Sequence, residues 1–256
     1  MLSSRGFSFL PSIKFEVTWI IPSLRPWLAQ FFSCSAGRST GKVRVSGSLE
    51  KVAAFWRSAL LYQKGMIHKC VQLTPFEGEG AADACAAGST AAIGGWWSNR
   101  KGANLHEVSW FRLQLDIAEL PEWLQAQVPA NQRIAFFELL AQATLCMLRT
   151  RENPHSVGSL TFSHRCDNAA SVGCVRKYFT VNEPLCFALQ SLAYHASCAG
   201  CVVNVSHVPG SRNVLADHFS RFNKYPGTIA LLDPRKEVKH FSIRDVLGPV
   251  WNLHSD

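Results

Sequence analysis

The pattern of apolar and polar positions predicts three consecutive strands after residue 80. Small, mostly apolar residues run through positions 81–88 and again through 91–97, with a tight Gly-Ser-Thr turn between the two runs. Residues 110–115 alternate apolar and polar side chains, which is typical of a half-buried strand. We therefore predict two strands joined by a turn, followed by a third strand.

Helical spacing follows the third strand. Residues 132–149 contain no glycine or proline, and one helical face carries Ile134, Phe137, Leu140, Ala141 and Leu145. Beyond it the chain predicts a fourth strand that begins at 157–162 and ends near Asp167, helices over 168–178 and 184–197, a fifth strand over 201–205 and a last helix over 211–221. This order predicts an α/β fold in which helices flank a mixed sheet.

The segments on either side of this core differ from it. Residues 8–33 mix apolar stretches with prolines and predict a helix from Pro26 onward. Residues 34–48 indicate a loop, and 49–62 have helical spacing. Residues 222–256 carry scattered proline and glycine, which indicates a tail or linker. The predicted organisation is a basic, mainly helical segment (1–70), a core domain (76–222) and a C-terminal tail or linker (223–256).

Charge is concentrated in the first quarter of the chain. Residues 1–70 hold ten Lys or Arg and two acids, a net charge of +8, whereas residues 71–256 hold sixteen of each sign. A basic arm beside a neutral domain indicates a polyanion partner, most simply nucleic acid, and a solvated basic segment is the equal alternative. Apolar residues make up 47% of the chain and charged residues 17%, which excludes a largely disordered protein.

The nine cysteines favour a reducing compartment. Their number is odd and their positions suggest no disulfide framework. Cys198 and Cys201 form a lone C-x-x-C pair, for which buried free thiols are a better interpretation than a zinc site. The sequence contains no membrane-spanning run, because the apolar stretch before Pro22 is too short. We expect an intracellular protein, in the nucleus or the cytoplasm.

Three acids stand out by their local context. Asp83 lies mid-strand between small residues, where an acid is unusual. Glu138 lies between apolar residues of the long predicted helix, and Asp167 follows the fourth strand. Each has a plainer interpretation: an edge-strand aspartate, a solvent-facing glutamate and a helix cap, respectively. The residues alone leave both interpretations open.

The segment from His207 to Arg221 is the most informative part of the chain. It places His207 ten positions before Asp217. Pro209 and Gly210 predict the end of a strand, and Ser211 predicts the start of a helix through Asp217. The expected result is a loop histidine facing a helical aspartate at one end of the sheet.

These segments together resemble the ribonuclease H domain of retroelement reverse transcriptases. Ala82-Asp-Ala-Cys-Ala-Ala-Gly88 is similar to the family's T-D-A-S-x-x-G, and Ala92-Ile-Gly-Gly95 is similar to its G-x-G-G. Glu138 with Ala141 resembles E-x-x-A, and Asp167 with Asn168 resembles D-N-x-A. The closing block is most similar to the Ty3- and DIRS-like form, H-x-P-G-x-x-N-x-x-A-D-x-x-S-R. The similarity covers residues 76–222, with Ala82 and Cys85 in place of the family's threonine and serine.

The resemblance implies a ribonuclease H-like mixed five-stranded sheet flanked by helices, and hydrolysis of the RNA strand of RNA–DNA hybrids with two Mg²⁺ or Mn²⁺ ions. The metal ligands it implies are Asp83, Glu138, Asp167 and Asp217. It implies that His207 aids product release or proton transfer. The residues it implies for contact with nucleic acid are Asn168, Arg212, Asn213 and Trp96.

The N-terminal segment resembles the thumb and connection regions of DIRS-like reverse transcriptases more loosely, over residues 8–70. The chain contains no Tyr-x-Asp-Asp motif, so we expect a piece of a longer polyprotein that lacks the polymerase active site. Two other hypotheses stay open. One is a catalytically inactive element copy that at most binds nucleic acid, motivated by Ala82 and Cys85 beside Asp83; the other is an α/β binding module in which the matches are chance.

Overall fold

The computed structural model describes residues 22–29, 47–62, 74–127, 133–152, 160–221 and 232–252. Within these residues the chain forms five strands: β1 (Thr74–Ala87), β2 (Thr90–Trp97), β3 (Ser109–Asp116), β4 (Leu160–Cys166) and β5 (Val202–His207). The same residues form seven α-helices: α1 (Gly47–Tyr62), α2 (Glu122–Gln127), α3 (Arg133–Glu152), α4 (Ala169–Lys177), α5 (Glu183–Ala199), α6 (Val214–Ser220) and α7 (Ile243–Leu247).

The five strands form one mixed sheet in the order β3-β2-β1-β4-β5. Strand β1 pairs antiparallel with β2, and β2 pairs antiparallel with β3. On its other side β1 pairs in parallel with β4, which pairs in parallel with β5. The predicted mixed five-stranded sheet with flanking helices is therefore confirmed, and β1 is its central strand.

Helices cover both faces of this sheet. Because side chains alternate between the faces of a strand, Ile93 and Phe111 point into the main core, where α3 and α5 pack. Their neighbours Gly94 and Trp110 face α6 on the opposite side. There Trp110 stacks on Phe219 of α6, with the ring centroids 5.0 Å apart. The core thus has two layers of helix around one sheet.

Glycine at position 94 allows α6 to lie directly on the sheet. A Cβ atom added to Gly94 would lie 2.4 Å from the carbonyl carbon of Phe219 and 2.5 Å from the amide nitrogen of Ser220. Real Cβ atoms do not approach backbone atoms so closely, so any side chain at position 94 would displace the helix. This contact fixes the distance between β2 and α6.

The N-terminal residues that the structure describes pack on the main core. Residues Pro22–Leu28 form a 3₁₀ helix with Pro26 inside it, whereas the sequence predicts a helix that begins at Pro26. Trp27 of this 3₁₀ helix and Trp56 of α1 are both buried in the main core. The side-chain amide of Gln190 on α5 donates to the carbonyl oxygen of Pro26 at 3.1 Å. The loop predicted over 34–48 lies outside the described residues except for Gly47 and Ser48, which belong to α1 instead, and most of the basic arm also lies outside them.

Residues 232–252 pack against the core, although the sequence predicts a tail or linker over 223–256. Glu237 forms a β-bridge with Trp110 of β3, which is one of the two edge strands of the sheet. Val246 and Leu247 of α7 are buried in the main core, and the Val246 carbonyl oxygen lies 2.8 Å from His195 Nε2 on α5. Helix α7 has five residues, which is too short for helical periodicity to be visible in the sequence.

Strand β1 begins at Thr74, seven residues before the predicted start. Its early residues pair with β4, with a register shift between Pro75 and Glu79, and Thr74–Glu77 are exposed or only partly buried. Exposed positions carry no apolar pattern, so the sequence shows only the buried half of the strand. None of the described helices has the length and apolar character that crossing a membrane requires.

The contact between Gly94 and α6 predicts the effect of a single methyl group. We expect Gly94→Ala to lower the free energy of unfolding by about 1–3 kcal/mol, because the new methyl group would overlap the backbone of α6. The matched control is Gly173→Ala in α4, where an added Cβ has nothing within 4 Å. That change should be neutral or stabilise by up to about 1 kcal/mol. Urea denaturation measures both, and equal stability of Gly94→Ala and the wild type would contradict the predicted overlap.

Candidate metal centre

Strand pairing brings two of the candidate acids together. Strands β1 and β4 are parallel, and Ala81 pairs with Arg165. Two residues further along each strand, Asp83 therefore lies beside Asp167, which directly follows β4. On the other side of β1, Asp83 pairs with Gly94. The register of the central strand thus fixes the relative positions of these two carboxyl groups.

Helix α3 adds the third acid. Glu138 is 4% exposed and Asp83 is 3% exposed, and their carboxyl groups hydrogen bond to each other. One turn along α3, the Gln142 amide nitrogen donates to the carbonyl oxygens of Ala82 at 3.3 Å and Arg165 at 3.1 Å. Gln142 therefore fixes α3 to β1 and β4 next to the acids.

Cys166 also lies in this group. Among the described residues, Glu138, Cys166 and Asp167 each offer one ligand atom within 4.8 Å of the others. The Cys166 sulfur lies 3.8 Å from Glu138 Oε2. The sequence predicts no role for Cys166, whose only signal there is its position next to Asp167.

Burial and mutual repulsion change the pKa values of the two buried acids. The pKa of Asp83 is raised, mainly because burial removes hydration from the charged form, and the hydrogen bond from Ser220 partly offsets this. The pKa of Glu138 is raised further by burial and then by the charges of Asp83 and Asp167. The mutual hydrogen bond lowers the pKa of Asp83 and raises that of Glu138, so Glu138 holds the shared proton.

Ser220 links Asp83 to the helix that carries the fourth acid. Its hydroxyl lies 2.5 Å from Asp83 Oδ2, to which it donates, and 3.0 Å from the carbonyl oxygen of Asp217. The Cys85 thiol donates to the Ser220 carbonyl oxygen at 2.8 Å. Ser220 belongs to the closing motif, but nothing in the sequence predicts that its hydroxyl contacts Asp83. These bonds hold the end of α6 against β1.

Asp217 lies at the edge of the group and has a cationic partner. Its charge raises the pKa of Asp83, but less than burial and the charge of Asp167 do. Arg221 Nε lies 2.5 Å from Asp217 Oδ1, one helical turn away. The structure therefore brings Asp83, Glu138 and Asp167 into one cluster and leaves Asp217 beside it, paired with Arg221.

His207 lies at the exposed end of β5, next to Asp167. Its Nε2 atom is 3.0 Å from the Asp167 carbonyl oxygen. Because a carbonyl oxygen only accepts, Nε2 carries the proton in this hydrogen bond. The following loop is also close, since a Cβ atom on Gly210 would lie 3.1 Å from Asp167 Oδ2. The imidazole thus borders the acid cluster on its solvent side.

The four predicted nucleic-acid contacts occupy different environments. Asn168 caps α4 by accepting from the Ser171 amide at 3.0 Å, as the plainer interpretation expected for this Asp-Asn pair. Arg212 is exposed in the loop beside Asp167. Asn213 is 2% exposed, and neither side-chain polar atom has a partner among the described residues. Trp96 packs against the cluster of Trp110, Phe219 and Leu232, which leaves its ring half-buried.

The oxygen atoms of this cluster fit a hard divalent cation such as Mg²⁺ or Mn²⁺, which prefers carboxylate ligands. A cation would stabilise the charged forms of Asp83 and Glu138, which burial and mutual repulsion now disfavour. Asp83, Glu138 and Asp167 are the residues that would hold it. The exposed side at His207 gives an ion access to the cluster.

No protein-family model matches the chain, and no curated protein matches it. Its structural neighbours are ribonuclease H domains. Ribonuclease H1 from Halobacterium salinarum is 12% identical with a TM-score of 0.40, and the match covers 57% of this chain and 94% of that one. A ribonuclease H1 isolated from compost, solved with an RNA/DNA hybrid, is 18% identical with a TM-score of 0.38, covering 56% and 92%.

A viral protein is also among the neighbours. The protease-reverse transcriptase of prototype foamy virus is 17% identical with a TM-score of 0.40, and the match covers 58% of this chain and 21% of that one. At such identities and TM-scores these neighbours carry no argument about activity.

The raised pKa of Glu138 predicts how stability depends on pH. A carboxyl group whose pKa is higher in the folded state keeps its proton where the unfolded chain has lost it, so stability falls as pH rises above the ordinary value of 4.5. In EDTA, we expect Glu138→Gln to gain about 1–3 kcal/mol of stability relative to the wild type between about pH 4 and pH 7. Urea denaturation across this pH range measures the gain.

The control for this prediction is Glu119→Gln, which changes an exposed carboxyl group in the same way. The stability of Glu119→Gln should follow that of the wild type across this pH range, without the gain expected for Glu138→Gln. Parallel stability curves for Glu138→Gln and the wild type would show that burial does not keep Glu138 protonated.

Proposed function

We propose that this chain hydrolyses the RNA strand of RNA–DNA hybrids at a carboxylate site that binds divalent metal ions. The observation that carries the proposal is the contact of two buried carboxyl groups, Asp83 and Glu138, beside a third, Asp167. Repulsion and burial both oppose this arrangement, so it requires a cation to ionise fully. The order of the acids along the chain and the closing motif around His207 and Asp217 support ribonuclease H chemistry specifically.

Each residue has a role in this proposal. Asp83, Glu138 and Asp167 hold the ions, and Asp217 joins them once Arg221 releases it. When bound, two Mg²⁺ or Mn²⁺ ions activate a water molecule and stabilise the leaving oxygen. The water oxygen bonds to phosphorus while the bond from phosphorus to the 3′-oxygen breaks, which leaves 3′-hydroxyl and 5′-phosphate ends. His207, at the rim, exchanges protons with solvent or aids product release.

The hybrid would lie over the exposed side of the cluster. Hybrids are recognised mainly through shape, phosphates and 2′-hydroxyl groups, so we expect little sequence preference. Arg212 lies exposed in the loop next to Asp167 and would contact phosphate, together with Asn168. Asn213 would help to hold the loop or the hybrid, and Trp96 remains a weaker candidate. The basic residues of segment 1–70 would add affinity that falls with salt.

We place this activity within a retroelement of the Ty3- or DIRS-like kind. In that proposal residues 1–70 correspond to the end of the thumb and connection regions, and 76–222 to the ribonuclease H domain. Within the segment 223–256, residues 232–252 contribute to the core described above. The expected location is inside the cell, in the nucleus or the cytoplasm.

A second candidate function is nucleic-acid binding without hydrolysis. The ion pair between Asp217 and Arg221 favours it, because Arg221 now occupies the carboxylate expected to bind metal. An inactive copy would retain the fold and the exposed Arg212, and it would lose only the ability to bring all four acids to the metal ions.

Hydrolysis of a labelled RNA–DNA hybrid tests the proposal. We expect the purified chain to cut the RNA strand with Mg²⁺ or Mn²⁺ and not with EDTA. Asp83→Asn should reduce the rate by at least about a hundredfold, because it removes a charge that holds the ions. The matched control is Asp116→Asn, because Asp116 is exposed and accepts from the Ala118 amide through an oxygen that asparagine also has.

Three results are informative. Metal-dependent cutting that Asp83→Asn abolishes and Asp116→Asn preserves supports both the activity and the site. Cutting that survives in Asp83→Asn would contradict the assignment of the site. A folded wild-type chain that binds the hybrid without cutting it would favour the binding function.

A further inference from the structure

Cys166 gives the acid cluster a soft ligand. It is the last residue of β4, its side chain is fully buried, and its sulfur lies 3.8 Å from Glu138 Oε2. The sulfur and the nearest oxygens of Glu138 and Asp167 lie within 4.8 Å of one another. These three atoms therefore surround one point at which a single ion could contact all of them.

The spacing suits a zinc-sized ion. Typical bonds are about 2.3 Å from zinc to sulfur and about 2.1 Å to a carboxylate oxygen, which at a tetrahedral angle places the two ligands about 3.6 Å apart. The observed separation between sulfur and Glu138 Oε2 is 3.8 Å. A thiophilic ion thus needs only a small adjustment of these two side chains.

The surroundings of the sulfur can accommodate a thiolate. The Asn168 amide donates to the Cys166 sulfur at 3.4 Å, and α4 begins at the next residue. A backbone amide at a helix start stabilises negative charge on sulfur. A cation that binds this sulfur takes the place of the thiol proton.

We propose that Glu138, Cys166 and Asp167 form a binding site for a thiophilic divalent cation of the Zn²⁺ or Cd²⁺ class. Thiolate ligands select such ions over Mg²⁺, which prefers oxygen. The site shares two carboxylates with the proposed hydrolytic centre, so its occupation excludes the hydrolytic ion there and inhibits cleavage. The inhibition rests on the proposed function, whereas the binding does not.

Other thiols compete for the same class of ion. Cys146 hydrogen bonds to Cys201, and the exposed Cys198 lies near enough to affect the pKa of Cys146. A test has to separate this second group of cysteines from Cys166. Cys198→Ser makes the same atomic change as Cys166→Ser in that second group and is the matched control.

Cadmium titration of the full chain tests the site. The ultraviolet charge-transfer absorption of the cadmium–thiolate bond reports the sulfur ligand directly, without any measurement of activity. We expect the tightest component of this absorption to be lost in Cys166→Ser, weakened at least about tenfold in affinity in Glu138→Gln, and retained in Cys198→Ser. Thermal unfolding of each variant verifies its fold, and Glu138→Gln tests the site without any change to a thiol.

Hybrid cleavage in Mg²⁺ with added Cd²⁺ completes the test. The half-inhibitory concentration of Cd²⁺ should rise at least about tenfold in Cys166→Ser. The proposed site would be wrong if Cys166→Ser keeps the tightest-binding component of the cadmium absorption. It would also be wrong if Glu138→Gln leaves the affinity of that component unchanged. Absence of cleavage in Mg²⁺ alone would overturn the proposed function and leave the cadmium site standing, so the two failures are distinguishable.

Discussion

The constraint around which the structure is organised is the burial of carboxyl groups at the centre of the sheet. Asp83 and Glu138 are almost fully buried and share a proton, with Asp167 beside them. Repulsion between these groups works against folding, because each charge disfavours ionisation of the next. Such an arrangement opposes its own stability, and a divalent cation would convert the repulsion into attraction.

The neighbouring elements keep the acids in place. The parallel register of β1 and β4 sets Asp83 beside Asp167, and Gln142 fixes α3 to both strands. On the face of the sheet that α6 covers, the absence of a side chain at Gly94 allows this helix to approach closely. The Ser220 hydroxyl therefore reaches Asp83. The acids therefore lie on, or directly after, strands and helices whose positions are fixed by packing, which is the rigidity a metal centre needs.

The sequence predicted most of the sheet because its buried strands carry apolar runs and its turns carry glycine. It also indicated which acids to examine, since Asp83 is an unusual residue for a strand interior. It did not reveal the contacts of Ser220 or Cys166, because no local pattern reports which side chains meet across 137 residues, as Ser220 and Asp83 do. The packing of Leu247 was also hidden, since a helix of five residues has no visible periodicity.

The central claim is that the buried acids form a cation site, and thermal unfolding with and without Mn²⁺ tests it most directly. A ligand that binds only the folded state stabilises it by about 2.7 kcal/mol at a hundred times its Kd. We predict that Mn²⁺ raises the unfolding temperature of the wild type and of Asp116→Asn, and leaves that of Asp83→Asn unchanged. Equal shifts in the wild type and Asp83→Asn, or no shift in either, would contradict the account.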